Sequence, residues 1–194
     1  MTKNLPMRMI VGISGASGVI LGYYLLKELR QLPECEIHLI VTEGAKVTWD
    51  LEANIPYEKL IELADVCHND ENLAASISSG SFVTNGMIII PCSMKTLSAI
   101  ASGYAANLLV RAADVCLKEN RRVVLVPREM PMGKVHIRNL KEASDLGCVI
   151  VPPMLTFYNM PNNLTDQINH LIGKILMQFG FNYKKFVLWK GMEK

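Results

Sequence analysis

An apolar run that breaks into glycine and serine constrains this chain most. In Met9-Ile10-Val11-Gly12-Ile13-Ser14-Gly15-Ala16-Ser17-Gly18 the run ends abruptly, and Val19 to Leu29 carries on with helical spacing. That order predicts a buried strand, a tight loop and the start of a helix. Glycines let the backbone turn sharply and approach a ligand closely, since no Cβ stands in the way. The first N–H groups of the helix point into the loop, and with the helix dipole they form an anion site. Ser14 and Ser17 add hydroxyls suited to a phosphate or another polar ligand edge.

The glycines fall as G-x-x-G-x-x-G. This is neither the dinucleotide pattern G-x-G-x-x-G nor a Walker loop, which ends in Gly-Lys-Ser/Thr. On this stretch alone two readings stay open. One is a phosphate-bearing ligand on the first strand-to-helix turn; the other is a turn that only lets strand and helix pack closely.

Residues 9–26 carry no charge, but glycines and serines interrupt the run and no strongly basic segment or cleavage pattern flanks it. A buried strand plus a helix start is therefore expected, not a membrane or signal segment. At 194 residues, half of them apolar, the chain fits one domain with a full core. The net charge of +2 suggests neither a nucleic-acid patch nor a polybasic membrane anchor. Five scattered cysteines without C-x-x-C imply reduced thiols, a cytoplasmic setting and no structural zinc. The four histidines show no ligand spacing, so no metal site is expected.

Strands are predicted at about Arg8–Ile13, Glu36–Val41, Gly86–Ile90, Arg122–Val126 and Cys148–Val151. Helices are predicted from near Ser17 to Gln31, Ala45 to Ala53, Tyr57 to Asp65, Met94 to Ser102, Leu108 to Glu119, Lys134 to Leu146 and Thr165 to Phe179. Asn69-Asp70 reads as a turn, and Ser76 to Ser81 as a polar, flexible segment with too few large apolar residues for a core element. Strand and helix alternate throughout, which implies an α/β fold with a doubly wound parallel sheet and right-handed crossovers. Ligands of such sheets bind beyond the carboxyl ends of the strands, at the switch point. Ser14 and Ser17, Thr42, Ser93 and Thr96, and Arg128 and Glu129 all follow strands.

Pro91-Cys92-Ser93-Met94-Lys95-Thr96 is a second strand-to-helix turn. Ser93 is either a plain N-cap or a further donor to the same ligand. Cys92 reads as a buried small hydrophobe. Arg111 and Lys118, seven residues apart, share a helix face. With Arg128 and Glu129 they suit a phosphate or pyrophosphate, or else a solvated salt-bridge cluster. Arg111 lies in a mostly apolar stretch and needs a partner there. Glu52 reads as a surface residue, and His38, His68, His136 and His170 as structural. Phe157, Tyr158 and Trp189 suit an aromatic pocket wall, a core or a subunit interface.

Several stretches then resemble the UbiX family of flavin prenyltransferases. They are Gly15-Ala16-Ser17-Gly18, Pro91-Cys92-Ser93 with Thr96-Leu97, Asn107 to Val115, Leu117-Lys118-Glu119, Leu125 to Glu129 and Phe157-Tyr158-Asn159. The segment Ile77-Ser78-Ser79-Gly80-Ser81-Phe82, with Pro91 to Thr96, is similar to the family branch that accompanies phenolic-acid or 4-hydroxybenzoate decarboxylases. The resemblance covers nearly the whole chain.

It implies a flavodoxin-like fold in a single domain over 1–194, with a tail of about 181–194 at a subunit interface of a homo-dodecamer. It implies that a dimethylallyl group from dimethylallyl phosphate is joined to N5 and C6 of reduced FMN. The product would serve a UbiD-type decarboxylase. FMN contacts carry over to Gly15, Ala16, Ser17, Thr42, Ser93, Met94, Lys95, Thr96 and Arg128. The prenyl-phosphate site carries over to Arg111, Lys118, Glu129, Tyr158 and Lys174, and active-site positions to Glu52 and Trp189. The implied catalytic roles fall on Ser17, Glu52, Arg111, Lys118 and Glu129, and substrate binding on Tyr158, Lys174 and Trp189. Two departures stand out: threonine at Thr42 where serine is common, and lysine at Lys174 where arginine is common. The rivals are a non-catalytic FMN carrier that supports a decarboxylase, a related FMN-dependent cysteine decarboxylase, and an NAD enzyme with Glu43 on the ribose, which lacks its glycine pattern.

Overall fold

A computed structural model describes residues 7–189 and Gly191. The predicted lead-in before Met7 and part of the tail lie outside them. Six strands form one parallel sheet: β1 (Met7–Ile13), β2 (Cys35–Val41), β3 (Val66–His68), β4 (Gly86–Cys92), β5 (Arg122–Pro127) and β6 (Val149–Ile150). The order across the sheet is β3-β2-β1-β4-β5-β6, so the switch point lies between β1 and β4. Among the described residues six helices lie between strands, α1 (Ile20–Leu29), α2 (Glu43–Glu52), α3 (Tyr57–Ile61), α4 (Met94–Ser102), α5 (Leu108–Lys118) and α6 (Lys134–Asp145), and a seventh, α7 (Leu164–Met177), follows the last strand.

The central strands are apolar on both sides because helices cover both faces. All seven residues of β4 are buried, as are the last five of β1. Their side chains alternate between two cores. Met9, Val11, Ile13, Ile88 and Ile90 join α1, α2, α3 and α7 on one face. Ile10, Met87 and Ile89 join α4, α5 and α6 on the other. Close packing at the switch point depends on Gly22 in α1. A Cβ there would lie 2.5 Å from Ile13 Cδ1 and 3.0 Å from the Ile90 carbonyl oxygen.

The doubly wound sheet is as expected, with three local corrections. The helix predicted over Tyr57 to Asp65 stops at Ile61, and a short strand, β3, follows it. Without β3 the order would read 2-1-3-4-5, as in flavodoxin; β3 extends it to 3-2-1-4-5-6. The polar segment Ser76 to Ser81 does supply a core residue, since a single 3₁₀ turn over Ser76–Ser78 carries Ile77 at 1% exposure. The first helix begins at Ile20, not near Ser17. Among the described residues no helix is long and apolar enough to cross a membrane.

Candidate active site

Backbone hydrogen bonds lace the carboxyl ends of four strands into one edge. The Thr42 N–H donates to the Ile13 carbonyl, Ser14 N–H to the Pro91 carbonyl, and Arg128 N–H to the Cys92 carbonyl, at 3.0, 3.2 and 3.2 Å. Each turn then opens a helix or loop. Thr42 caps α2, its hydroxyl accepting from the Ala45 N–H at 3.2 Å. Ser93 caps α4, accepting from the Thr96 N–H at 3.3 Å and donating to Thr96 Oγ1 at 3.1 Å. Both helices aim their N-termini at the same edge, so partial positive charge collects there.

A cleft of about 1050 Å³ opens above this edge. All nine residues expected to contact FMN line it: Gly15, Ala16, Ser17, Thr42, Ser93, Met94, Lys95, Thr96 and Arg128, with Glu129 beside them. Gly15 and Gly44 meet backbone to backbone at its floor, where a Cβ on Gly15 would come 2.8 Å from the Gly44 carbonyl carbon. The other six predicted site residues do not line this cleft. The Glu52 carboxylate accepts the Gly18 N–H at 2.8 Å, next to Ser17 of the cleft lining. The start of α1 is therefore occupied by the chain's own carboxylate; Glu52 is exposed, in keeping with its reading as a surface residue, and it is engaged there. Ser14 differs from expectation. Its hydroxyl is buried and turned inward, so it offers nothing to a ligand.

Arg111 is half-buried and partnered, as its apolar setting requires. It donates to Asp114 Oδ2 at 2.5 Å and to the Ser78 carbonyl at 3.3 Å. Lys118 lines a separate hollow of about 450 Å³ between α4 and α5. Tyr158, Lys174 and Trp189 form a third group. The Tyr158 hydroxyl is 3.1 Å from His170 Nε2. Its ring meets Trp189 edge-on at 5.7 Å, and Lys174 Nζ lies 5.2 Å from the centre of the Phe186 ring.

Sequence reasoning gave no site role to Asp70, Asn107 and Tyr104, which also line the large cleft. Asp70 fixes the start of α5. Its carboxylate accepts from the Leu109 N–H and from Asn107 Nδ2 at 2.9 and 2.7 Å, and its carbonyl from the Leu108 N–H at 2.7 Å. The Asn69-Asp70 turn was legible, but its partner 39 residues away was not. Cys92 is buried, and burial followed by the neighbouring Cys148 pushes its thiol far above the ordinary range. That leaves it a packing residue, as expected.

The Flavoprotein family model matches residues 1–179. A probable UbiX-like flavin prenyltransferase of Sedimentibacter hydroxybenzoicus is 69% identical over 185 residues, spanning 95% of this chain and 98% of that protein. The chain belongs to the UbiX-like flavin prenyltransferases. Two solved structures of UbiX-like proteins share its fold along nearly the whole length. A dodecameric FMN-dependent UbiX-like decarboxylase of Escherichia coli O157:H7 is 48% identical with a TM-score of 0.93, over 95% of this chain and 100% of that one. AnUbiX, solved with FMN and dimethylallyl pyrophosphate, is 42% identical with a TM-score of 0.94, over 97% and 100%.

Proposed function

We propose that this flavin prenyltransferase binds reduced FMN in the large cleft and joins to it a dimethylallyl group from dimethylallyl phosphate. The observation that carries the reading is the convergence of all nine expected flavin residues, from four separate turns, on one cleft. The residues fit the group. The N-termini of α2 and α4 and the cations Lys95 and Arg128 suit a phosphate, and the cleft volume suits a flavin. When bound, reduced FMN supplies the ring that is alkylated at N5 and closed at C6.

The chain's own residues then divide the work. Arg111, Lys118 and Lys174 stabilise the charge that builds on the departing phosphate. Glu129 donates a proton to that phosphate. Tyr158 and Trp189 wall the prenyl chain and exclude water from it. Ser17 and Glu52 take up the protons lost from the flavin positions. They are close in the chain's fold, since Glu52 holds the N–H of Gly18, the residue after Ser17.

Arg111, Lys118, Tyr158, Lys174 and Trp189 are not among the residues that line the cleft of their own chain. In this reading they complete the cleft of a neighbouring copy in a homo-oligomer, a dodecamer by analogy, with the described part of the tail, 181–189, at the interface. The product would pass to a UbiD-type decarboxylase in the cytoplasm.

The test is anaerobic incubation of the protein with reduced FMN and dimethylallyl phosphate, then mass spectrometry of the released flavin. The expected result is a gain of one C5 prenyl unit that requires the protein. Unmodified FMN, tightly held, would instead make this a flavin carrier.

A further inference from the structure

The face of α7 that carries Lys174 also carries Gln167 and His170, at spacings of three and four. Two of these side chains hold the loop that presents Tyr158. The Gln167 carboxamide accepts the Thr156 N–H at 3.0 Å and donates to the Thr156 carbonyl oxygen at 2.7 Å. His170 Nε2 meets the Tyr158 hydroxyl at 3.1 Å. Gln167 thus fixes the backbone of the loop, and His170 fixes the side chain that the functional reading needs.

His170 is 4% exposed, and its Nδ1 is buried with no hydrogen-bond partner among the described residues. That asymmetry assigns the ring proton. A neutral imidazole has one N–H. On Nδ1 it would be a buried donor with nothing to accept it, and the Tyr158 O–H would be spent on Nε2. On Nε2 it donates to the Tyr158 oxygen and leaves a bare lone pair buried, the less costly orphan. A charged ring would bury both N–H groups and a net charge beside the Lys174 ammonium. Burial first, and Lys174 second, hold this imidazole below its ordinary value.

We infer that His170 is a positioning residue for the prenyl-phosphate side of the site: its Nε2–H occupies the Tyr158 oxygen and commits the Tyr158 O–H to donate outward, to an anionic phosphate oxygen. This rests on the prenyl-transfer reading above. The surroundings lock the arrangement. The Phe186 ring lies 4.8 Å from the His170 ring, and Trp189 meets the Tyr158 ring edge-on. Lys174, one helical turn on, is the cation that a phosphate meeting Tyr158 would also find.

The experiment is calorimetric binding of dimethylallyl phosphate to the FMN-loaded protein, with FMN affinity measured alongside. His170→Leu should weaken dimethylallyl phosphate about five- to tenfold, the effect of misdirecting one hydrogen bond, and leave FMN affinity unchanged. His170→Gln, whose amide still donates, should recover most of that loss. In a Tyr158→Phe background His170→Leu should add nothing, because the two act through one hydroxyl. Should His170→Leu fail to fold, His170→Asn, too short to reach Tyr158, takes its place. Wild-type binding by His170→Leu, an additive double variant, or a parallel loss of FMN would each overturn the role of His170 while the prenyl-transfer reading stands. A wild-type protein that holds FMN but never binds dimethylallyl phosphate would overturn that reading, and the role of His170 with it.

Discussion

Ser14 Oγ accepts the N–H of Ser93 at 2.7 Å and donates to the Pro91 carbonyl oxygen at 3.0 Å. One hydroxyl, 1% exposed, thereby joins the turn after β1 to the turn after β4 across the switch point. Both turns line the large cleft, so this side chain, together with the Ser14 N–H bond to the Pro91 carbonyl, sets the relative placement of its two halves. Ser14→Ala would leave a buried N–H without its acceptor. The expected cost is about 1–3 kcal/mol, or a Tm lower by roughly 2–10 °C. Weaker FMN binding should accompany it. Thermal unfolding and flavin fluorescence titration check this, and an unchanged Tm would contradict it.

At Gly15 the obstacle is backbone. A Cβ would lie 2.8–3.0 Å from three atoms of Gly44, none of which can rotate away. Gly15→Ala must push the β1 turn and the start of α2 apart at the floor of the cleft. The protein should emerge from desalting with little bound flavin, read from the flavin-to-protein absorbance ratio. Stoichiometric flavin in this variant would show that the two turns are not held as described.

Glu129 lines the cleft, and its Oε1 accepts the Met130 N–H at 3.0 Å. Glu129→Gln keeps the shape and removes the acid. Prenyl transfer should fall about 10²–10⁴-fold with FMN affinity nearly unchanged. Wild-type turnover would remove the proton-donor role.

Lys174 is a point charge where a planar fork would grip a phosphate at two oxygens. Lys174→Arg should lower the KM for dimethylallyl phosphate by about two- to tenfold. Steady-state kinetics with dimethylallyl phosphate and the pyrophosphate in parallel would read this gain. A raised KM for both donors would place Lys174 outside the phosphate site.

His68 and His170 both titrate below the ordinary imidazole value of 6.5. Burial is the larger cause at each; His38 adds to it at His68, and Lys174 at His170. His68 Nε2 is 2.9 Å from His38 Nδ1, and His38 Nε2 in turn meets Glu36 at 3.0 Å. The unfolded chain protonates these rings near 6.5, while the folded chain holds them neutral to lower pH. In that window the unfolded state binds more protons, so stability present above 6.5 is lost as pH falls. Tm should therefore drop between about pH 7 and about pH 5, with a shallower slope in His68→Gln and His170→Gln. A Tm that is flat or rising as pH falls would contradict this.

The chain's residues alone dictate much of this molecule. Continuous apolar runs at Met9–Ile13 and Gly86–Ile90 specify buried parallel strands, and the serine that follows the second caps a helix. Parallel topology brings every strand's carboxyl end to one edge, so the residues after four separate strands share a cleft without any contact being known in advance. Tertiary structure decided the rest, because those features depend on partners far away in sequence. The three-residue strand β3 has no pattern of its own and exists by pairing with β2. Ile77 is core because the Ser76–Ser78 turn docks it among residues of the α4–α5 face. The Ser14 hydroxyl faced either a ligand or the protein, and an acceptor 77 residues on and a donor 79 residues on turned it inward. Glu52 likewise became the anion at the start of α1 only when α2 was laid beside it. A polar side chain near a turn has many neighbours within chemical reach, and folding selects the one that leaves the fewest buried groups unpaired.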